Sequence, residues 1–154
     1  MPKKATAADA EAILKLYDLR REAEMRKARD FVGIQFWPES ADEFVQIAMD
    51  MGSQHSAWLR QVGSYWNMAA AMALAGAINA DLFLEPNCSG EMYFVFAKVK
   101  PFLKELRKKM DSPEFFASVE KVIDSSKKSR EFLKSTETRI AARRKMMAEA
   151  AKAS

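Results

Sequence analysis

The chain has 154 residues, enough to close a single apolar core. Its 49% hydrophobic and 30% charged residues exclude a disordered or collagen-like polymer, and only five Gly and five Pro speak against a turn-rich all-β fold. The net charge of +4 is uneven: residues 1–36 hold eight Lys/Arg against six Asp/Glu, residues 37–97 one against seven, and residues 98–154 sixteen against eight. An acidic middle between basic ends favours pairing within the molecule or with a second copy, and a uniformly basic nucleic-acid binder would not look like this.

Thr6 with Asp9 three residues on reads as a variant capping box, opening a first helix that runs to about Phe31. Gly33 and Pro38 break the pattern, and Glu39-Ser40 starts a short helix over Ala41–Met51 with Phe44, Ile47, Ala48 and Met51 on one side. After Gly52-Ser53, a helix from about 54 to 81 is apolar around most of its circumference, which places it at the centre of a bundle. Its alanine-rich run over 68–78 is too short and too weakly apolar for a membrane span, which needs about 20 residues.

Leu84–Gly90 reads as a loop, with Ser89 capping a fourth segment over Gly90–Met110. Met92–Phe96 has strand-like residues but no second strand to pair with, so helix is the better reading, kinked at Pro101. Asp111-Ser-Pro-Glu114 looks like a helix start, with Ser112 as N-cap and Pro113 at the first position. Phe115, Val119, Val122 and Ile123 then face the core, residues 125–129 weaken the helix, and a last segment with Phe132, Leu133 and Ile140 continues to Arg144. Residues 1–6 and about 146–154 are expected to fray. The expectation is one all-α domain over 1–154, a bundle of four to six helices around the apolar 54–81 segment.

The stretches Leu16–Arg29 (LYDLRREAEMRKAR), Tyr65–Ala70 (YWNMAA) and Gly90–Phe96 (GEMYFVF) resemble an uncharacterised all-helical family found in bacteria, over roughly Ile13 to Ile123. No activity attaches to that family, so the resemblance implies a helical fold and nothing about function.

The candidate site comes from helical phase. At 100° per residue from Ala10, residues Ile13, Leu14, Tyr17, Met25, Ala28, Phe31 and Val32 fall within about 60° of one direction, and Arg21 and Glu24 within about 40° of it. Charges at the centre of an apolar stripe must be paired. Arg60, Ser64 and Asn67, at i, i+4 and i+7, form a polar ridge on the apolar central helix, and Arg60 is the only Lys or Arg between Val32 and Ala97. The expectation is that both ridges meet inside the bundle, with Glu24 accepting from Arg21 and Arg60. Such a cluster is either a structural network fixing helix register or a small pocket for a carboxylate or phosphate.

Other chemistry finds little support. His55 has no acidic or Cys residue three or four positions away, so no helical metal pair forms, and Cys88 has no His beside it in sequence. The lone cysteine cannot form an internal disulfide, and the N-terminus lacks a signal-peptide pattern, which together point to a reducing, cytoplasmic setting. Residues 44–63 resemble a helix-turn-helix, with Ala48 and Gly52 correctly spaced, but Ser53 and Gln61 occupy apolar slots. The basic stretch Arg139–Lys145 lacks aromatic neighbours in sequence for stacking on bases. The leading reading is a non-enzymatic helical binding module, self-associating, that takes a protein partner or a small anion and needs no cofactor. A nucleic-acid binder using residues 44–63 or the basic C-terminal helix is the alternative, with binding weak and non-specific, and an enzyme ranks third.

Overall fold

A computed structural model describes residues 3–154, and the described residues are helical without a strand. The helices are α1 (Ala7–Arg20), α2 (Ala23–Asp30), α3 (Ala41–Met49), α4 (Gln54–Leu74), α5 (Ala80–Phe83), α6 (Pro86–Val99), α7 (Leu103–Lys109), α8 (Ala117–Asp124) and α9 (Lys127–Ala153). A π-helical turn, Phe31–Gln35, follows α2, and a 3-10 turn, Lys100–Phe102, joins α6 to α7. The all-α bundle predicted from the sequence is the fold. Its segments are more finely divided because several expected helices are broken.

The first break matters most. The Thr6–Asp9 capping box forms as expected, but the first helix does not run on to Phe31. It stops at Arg20, and the Glu22 carboxylate accepts a hydrogen bond from the Met25 amide, starting α2 on a new phase. Residues beyond the break therefore cannot be projected from those before it. Leu14 and Tyr17, expected on the buried face, are 65% and 54% exposed. Met25, Ala28, Phe31 and Val32 are buried.

The central helix α4 ends at Leu74 rather than near Asp81. Gly76 adopts φ +78, the Ala77 amide donates to Met72 O at 3.0 Å and the Gly76 amide to Ala73 O at 3.1 Å, closing the last turn in a Schellman motif. The expected loop at 84–90 is mostly helical: Pro86 is the first residue of α6, and the kink falls at Ser89, whose hydroxyl donates to Phe83 O rather than capping a helix. Pro101 acts as predicted, converting one turn to 3-10 geometry. Ser112 caps no helix; α8 begins only at Ala117. The final helix stays helical to Ala153, where the sequence suggested fraying from about Met146.

Helix α4 packs against α2, α3 and α8, while α9 lies along α6. The core between them is aromatic, with Trp66, Tyr93, Phe36, Phe44, Phe83 and Phe96 fully buried. Edge-to-face contacts link Phe36 to Phe44 at 5.4 Å, Phe44 to Phe115 at 5.7 Å and Phe115 to Phe116 at 4.8 Å. No helix among the described residues is long and apolar enough to cross a membrane.

Candidate functional site

The predicted Arg21/Glu24/Arg60 cluster does not form. Arg21 and Glu24 are exposed, because the break at Arg21-Glu22 turns them outward, and Glu24 pairs instead with Lys27 at 2.7 Å on the surface of α2. Arg60 is exposed on the other side of α4 from the α1/α2 packing and forms no ion pair among the described residues.

A charged network does tie the first helices to the core, with different members. Arg20, one residue before the predicted position, is buried. Its guanidinium lies 5.0 Å from the Trp66 ring and 5.5 Å from Tyr17, and Nη1 donates to Cys88 O at 3.3 Å. Glu91 on α6 is the carboxylate: Oε2 accepts from Arg29 Nε at 2.5 Å and Oε1 from Trp66 Nε1 at 3.0 Å. Tyr65 donates its hydroxyl to Leu16 O at 2.6 Å, and burial pushes that phenol up to about 12. Between them these contacts join α1, α2, α4 and α6, which is what a register-fixing network does.

A second buried charge was not foreseen. Lys98 on α6 is fully buried, and its Nζ donates to Phe36 O at 2.5 Å and to Val32 O, carbonyls at the C-terminal end of the π-helical turn. The Trp37 and Phe94 ring centres lie 4.2 and 4.7 Å away, so the ammonium sits among aromatic faces and no carboxylate touches it. Burial, and secondarily the Arg144 charge, pull its pKa down to about 7. The sequence carried one signal for it: Lys98 stands inside the apolar run Val95–Val99, all of which is buried.

The other predicted ridge lies in an open cavity. Arg60, Ser64 and Asn67 line a groove of about 740 Å³ between α3, α4 and the 110–116 turn. Its apolar wall comes from Phe44, Met49, Met51, Met110, Phe115 and Phe116, and Met49 and Met51 are 58% and 59% exposed. Most of the groove's polar groups are already engaged. Asn67 Oδ1 accepts from the Ser118 amide at 3.2 Å and the Val119 amide at 3.3 Å, capping α8 from a neighbouring helix. Ser64 donates to Gln61 O at 3.3 Å, and Ser112 donates to the Glu114 carboxylate at 3.3 Å. Arg60 is the groove's one cation. Phe116, at the groove wall, holds φ +56, a left-handed conformation that costs a non-glycine residue free energy and recurs at ligand sites.

His55 stacks on Phe31 with ring centres 4.4 Å apart and serves packing. Among the described residues no three His, Cys, Asp or Glu side chains converge into a metal-binding set. Burial, with the nearby Glu85 charge, pushes the Cys88 thiol up, the opposite of an activated nucleophile.

The described residues form a small all-helical bundle with an open groove lined largely by apolar side chains. Residues 5–126 match the family described as a domain of unknown function (DUF4760), and the chain belongs to that family. No curated protein and no solved structure matches it.

Proposed function

We propose that the protein is a non-enzymatic binding module, and that the α3/α4 groove holds a small amphiphile with an apolar body and an anionic head. The observation that carries this reading is Arg60, exposed, without an ion pair among the described residues, at the edge of a groove whose wall is Met and Phe. A volume of about 740 Å³ falls within the usual range for small-molecule sites, which combine an apolar lining with a few orienting polar groups. Methionine side chains adapt to irregular apolar guests, and three of them line this one. Glu114 shares the groove without pairing with Arg60, leaving the guanidinium free for a ligand's carboxylate. The small-anion reading of the sequence thus moves from a buried cluster to an open groove, keeping Arg60 and dropping Arg21 and Glu24.

The nucleic-acid alternative is less well supported. The helix that would read a DNA groove is α4, whose exposed stripe of Arg60, Gln61, Ser64 and Met68 offers a single cation to a phosphate backbone.

Calorimetric titration with decanoate and decanol tests the proposal. Decanoate should bind about fivefold more tightly than decanol, the value of one partly exposed ion pair near 1 kcal/mol. Arg60→Met should remove that preference while leaving the apolar contribution, and Ser64→Trp should block both ligands. Equal affinities in the native protein, or no binding of either compound, would overturn the reading.

A further inference from the structure

The family match ends at residue 126, yet α9, which follows it, packs along α6 and closes a second cavity. This cavity, of about 480 Å³, lies between the π-helical turn, α6 and α9, away from the Arg60 groove. Its walls are aromatic: Trp37, Phe94 and Phe132. Trp37 is held in place by donation from Nε1 to Ile34 O at 3.1 Å and by an edge-to-face contact with Phe94 at 5.9 Å. The π-helical turn beside it is a rare backbone form that recurs at functional sites.

The charged groups of the cavity are all of one sign. Arg139 and Arg143 of α9 line it, and neither forms an ion pair among the described residues. Arg139 donates from Nη2 to Thr136 Oγ1 at 3.2 Å and lies 5.5 Å from the Phe132 ring centre, so its guanidinium is oriented within the cavity. Two arginines at i and i+4 repel each other along a helix, and an anion bridging them would turn that repulsion into attraction. Behind the aromatic wall stand two further basic groups: Lys98, 4.2 Å from the Trp37 ring centre, and Arg144, 5.5 Å from it. The cavity lining contains no carboxylate.

We propose that this second cavity is a binding site for a small aromatic anion, its ring against Trp37, Phe94 and Phe132 and its carboxylate or phosphate bridging Arg139 and Arg143. Each part of the ligand is required by a separate feature. The aromatic walls select a flat apolar body, and the paired guanidiniums select a group with two or more anionic oxygens. Inorganic phosphate would meet the second requirement alone, and a neutral arene only the first.

The probe is 1-naphthyl phosphate, titrated by calorimetry into the full chain, with inorganic phosphate and 1-naphthalenemethanol as the two half-ligands. Naphthyl phosphate should bind at least tenfold more tightly than either. Arg139→Met/Arg143→Met should cut its affinity at least tenfold and bring it level with the neutral arene. Gly90→Leu supplies an independent test that leaves the charges in place. Gly90 lines the cavity on a helical turn, a Cβ there would meet nothing within 4 Å, and a larger side chain fills the space the ring needs. Thermal melting of each variant confirms that it folds. Arg60→Met should leave naphthyl phosphate binding unchanged, so failure here and failure of the groove reading are separable. Inorganic phosphate binding as tightly as naphthyl phosphate would overturn the proposal, as would binding that survives both Gly90→Leu and the double arginine replacement.

Discussion

Lys98→Met is the perturbation with the most to say about this core. The native ammonium is fully buried, bonded to two backbone carbonyls and faced by aromatic rings rather than a carboxylate. Its pKa is about 7 when folded against 10.5 when unfolded, chiefly from burial and then from the Arg144 charge. Between those two values the unfolded chain binds more protons than the folded one, so stability must rise with pH across that window and fall as pH drops toward 7. At roughly 1.4 kcal/mol per pH unit, the gain from pH 7 to pH 9 is about 2–3 kcal/mol. Methionine matches the length of lysine and carries no proton, so the variant should lose this rise. At pH 9 it leaves Val32 O and Phe36 O without their donor and should be less stable than the native chain by roughly 1–3 kcal/mol. At pH 6, where the native protein carries the full cost of a buried charge, the gap should shrink or reverse. Tyr65 and Tyr93, both pushed up to about 12 by burial, do not confuse the comparison. Their contribution is intact below pH 10 and is lost only as pH climbs from 10 to 12. Urea unfolding at pH 6, 7.5 and 9, followed by tryptophan fluorescence and circular dichroism, measures the effect. Native and variant stability curves that run parallel from pH 6 to pH 9 would refute the idea that an uncompensated lysine charge sits in this core.

Three further outcomes follow from the packing. Glu91→Ala should cost about 2–4 kcal/mol in urea unfolding, since it strands Arg29 and the Trp66 indole, whereas Glu24→Ala should leave the midpoint unmoved because its pair with Lys27 lies in water. Asn67→Ala should cost roughly 1–2 kcal/mol by uncapping α8, and Asn67→Asp should recover most of it, because a carboxylate also accepts from helix N-terminal amides. The Cys88 thiol should react with a disulfide reagent at pH 7 more slowly than free cysteine, and unfolding in urea should restore the ordinary rate.

The fold was legible because its signals were redundant. Apolar periodicity, few glycines and clear starts at Thr6 and Ser40 all pointed to helices, and the structure uses both caps, while the serines over 125–129, expected only to weaken a helix, supply the Ser126 cap of α9. The site was legible only where a helix stayed continuous. Arg60, Ser64 and Asn67 share α4, so their common face survived folding and lines one groove. Arg21 and Glu24 stand beyond a break that no glycine or proline marks. Glu22 makes it by capping the next helix with its own side chain, a role that charge patterning on a continuous helix does not reveal. The helical phase of α1 does not continue into α2, so Arg21 and Glu24 face solvent, and Leu14 and Tyr17 on α1 are exposed as well. Arg20, the residue that does go inside, differed from its neighbour by a single position.

The two cavities also divide along the chain in a way that bears on how they would be used. Every residue lining the Arg60 groove falls within 5–126, the span matched to the family, so that groove is a property of the family-sized body. The second cavity takes its floor from the same body, through Trp37 and Phe94, but its paired arginines and Phe132 come from α9, outside the match. That helix is anchored by Leu133, Thr136 and Ile140, and beyond Arg144 its side chains are exposed. An anion bridging Arg139 and Arg143 would therefore bind to α9 and the body together, and would stabilise their contact by mass action in proportion to its occupancy. A ligand in the groove has no such leverage on α9, since none of the groove's walls belong to it. Hydrogen exchange along 127–144 should accordingly slow on addition of naphthyl phosphate and stay unchanged with decanoate. Protection of α9 by decanoate would mean that the two sites are coupled through the core, and their independence would have to be abandoned.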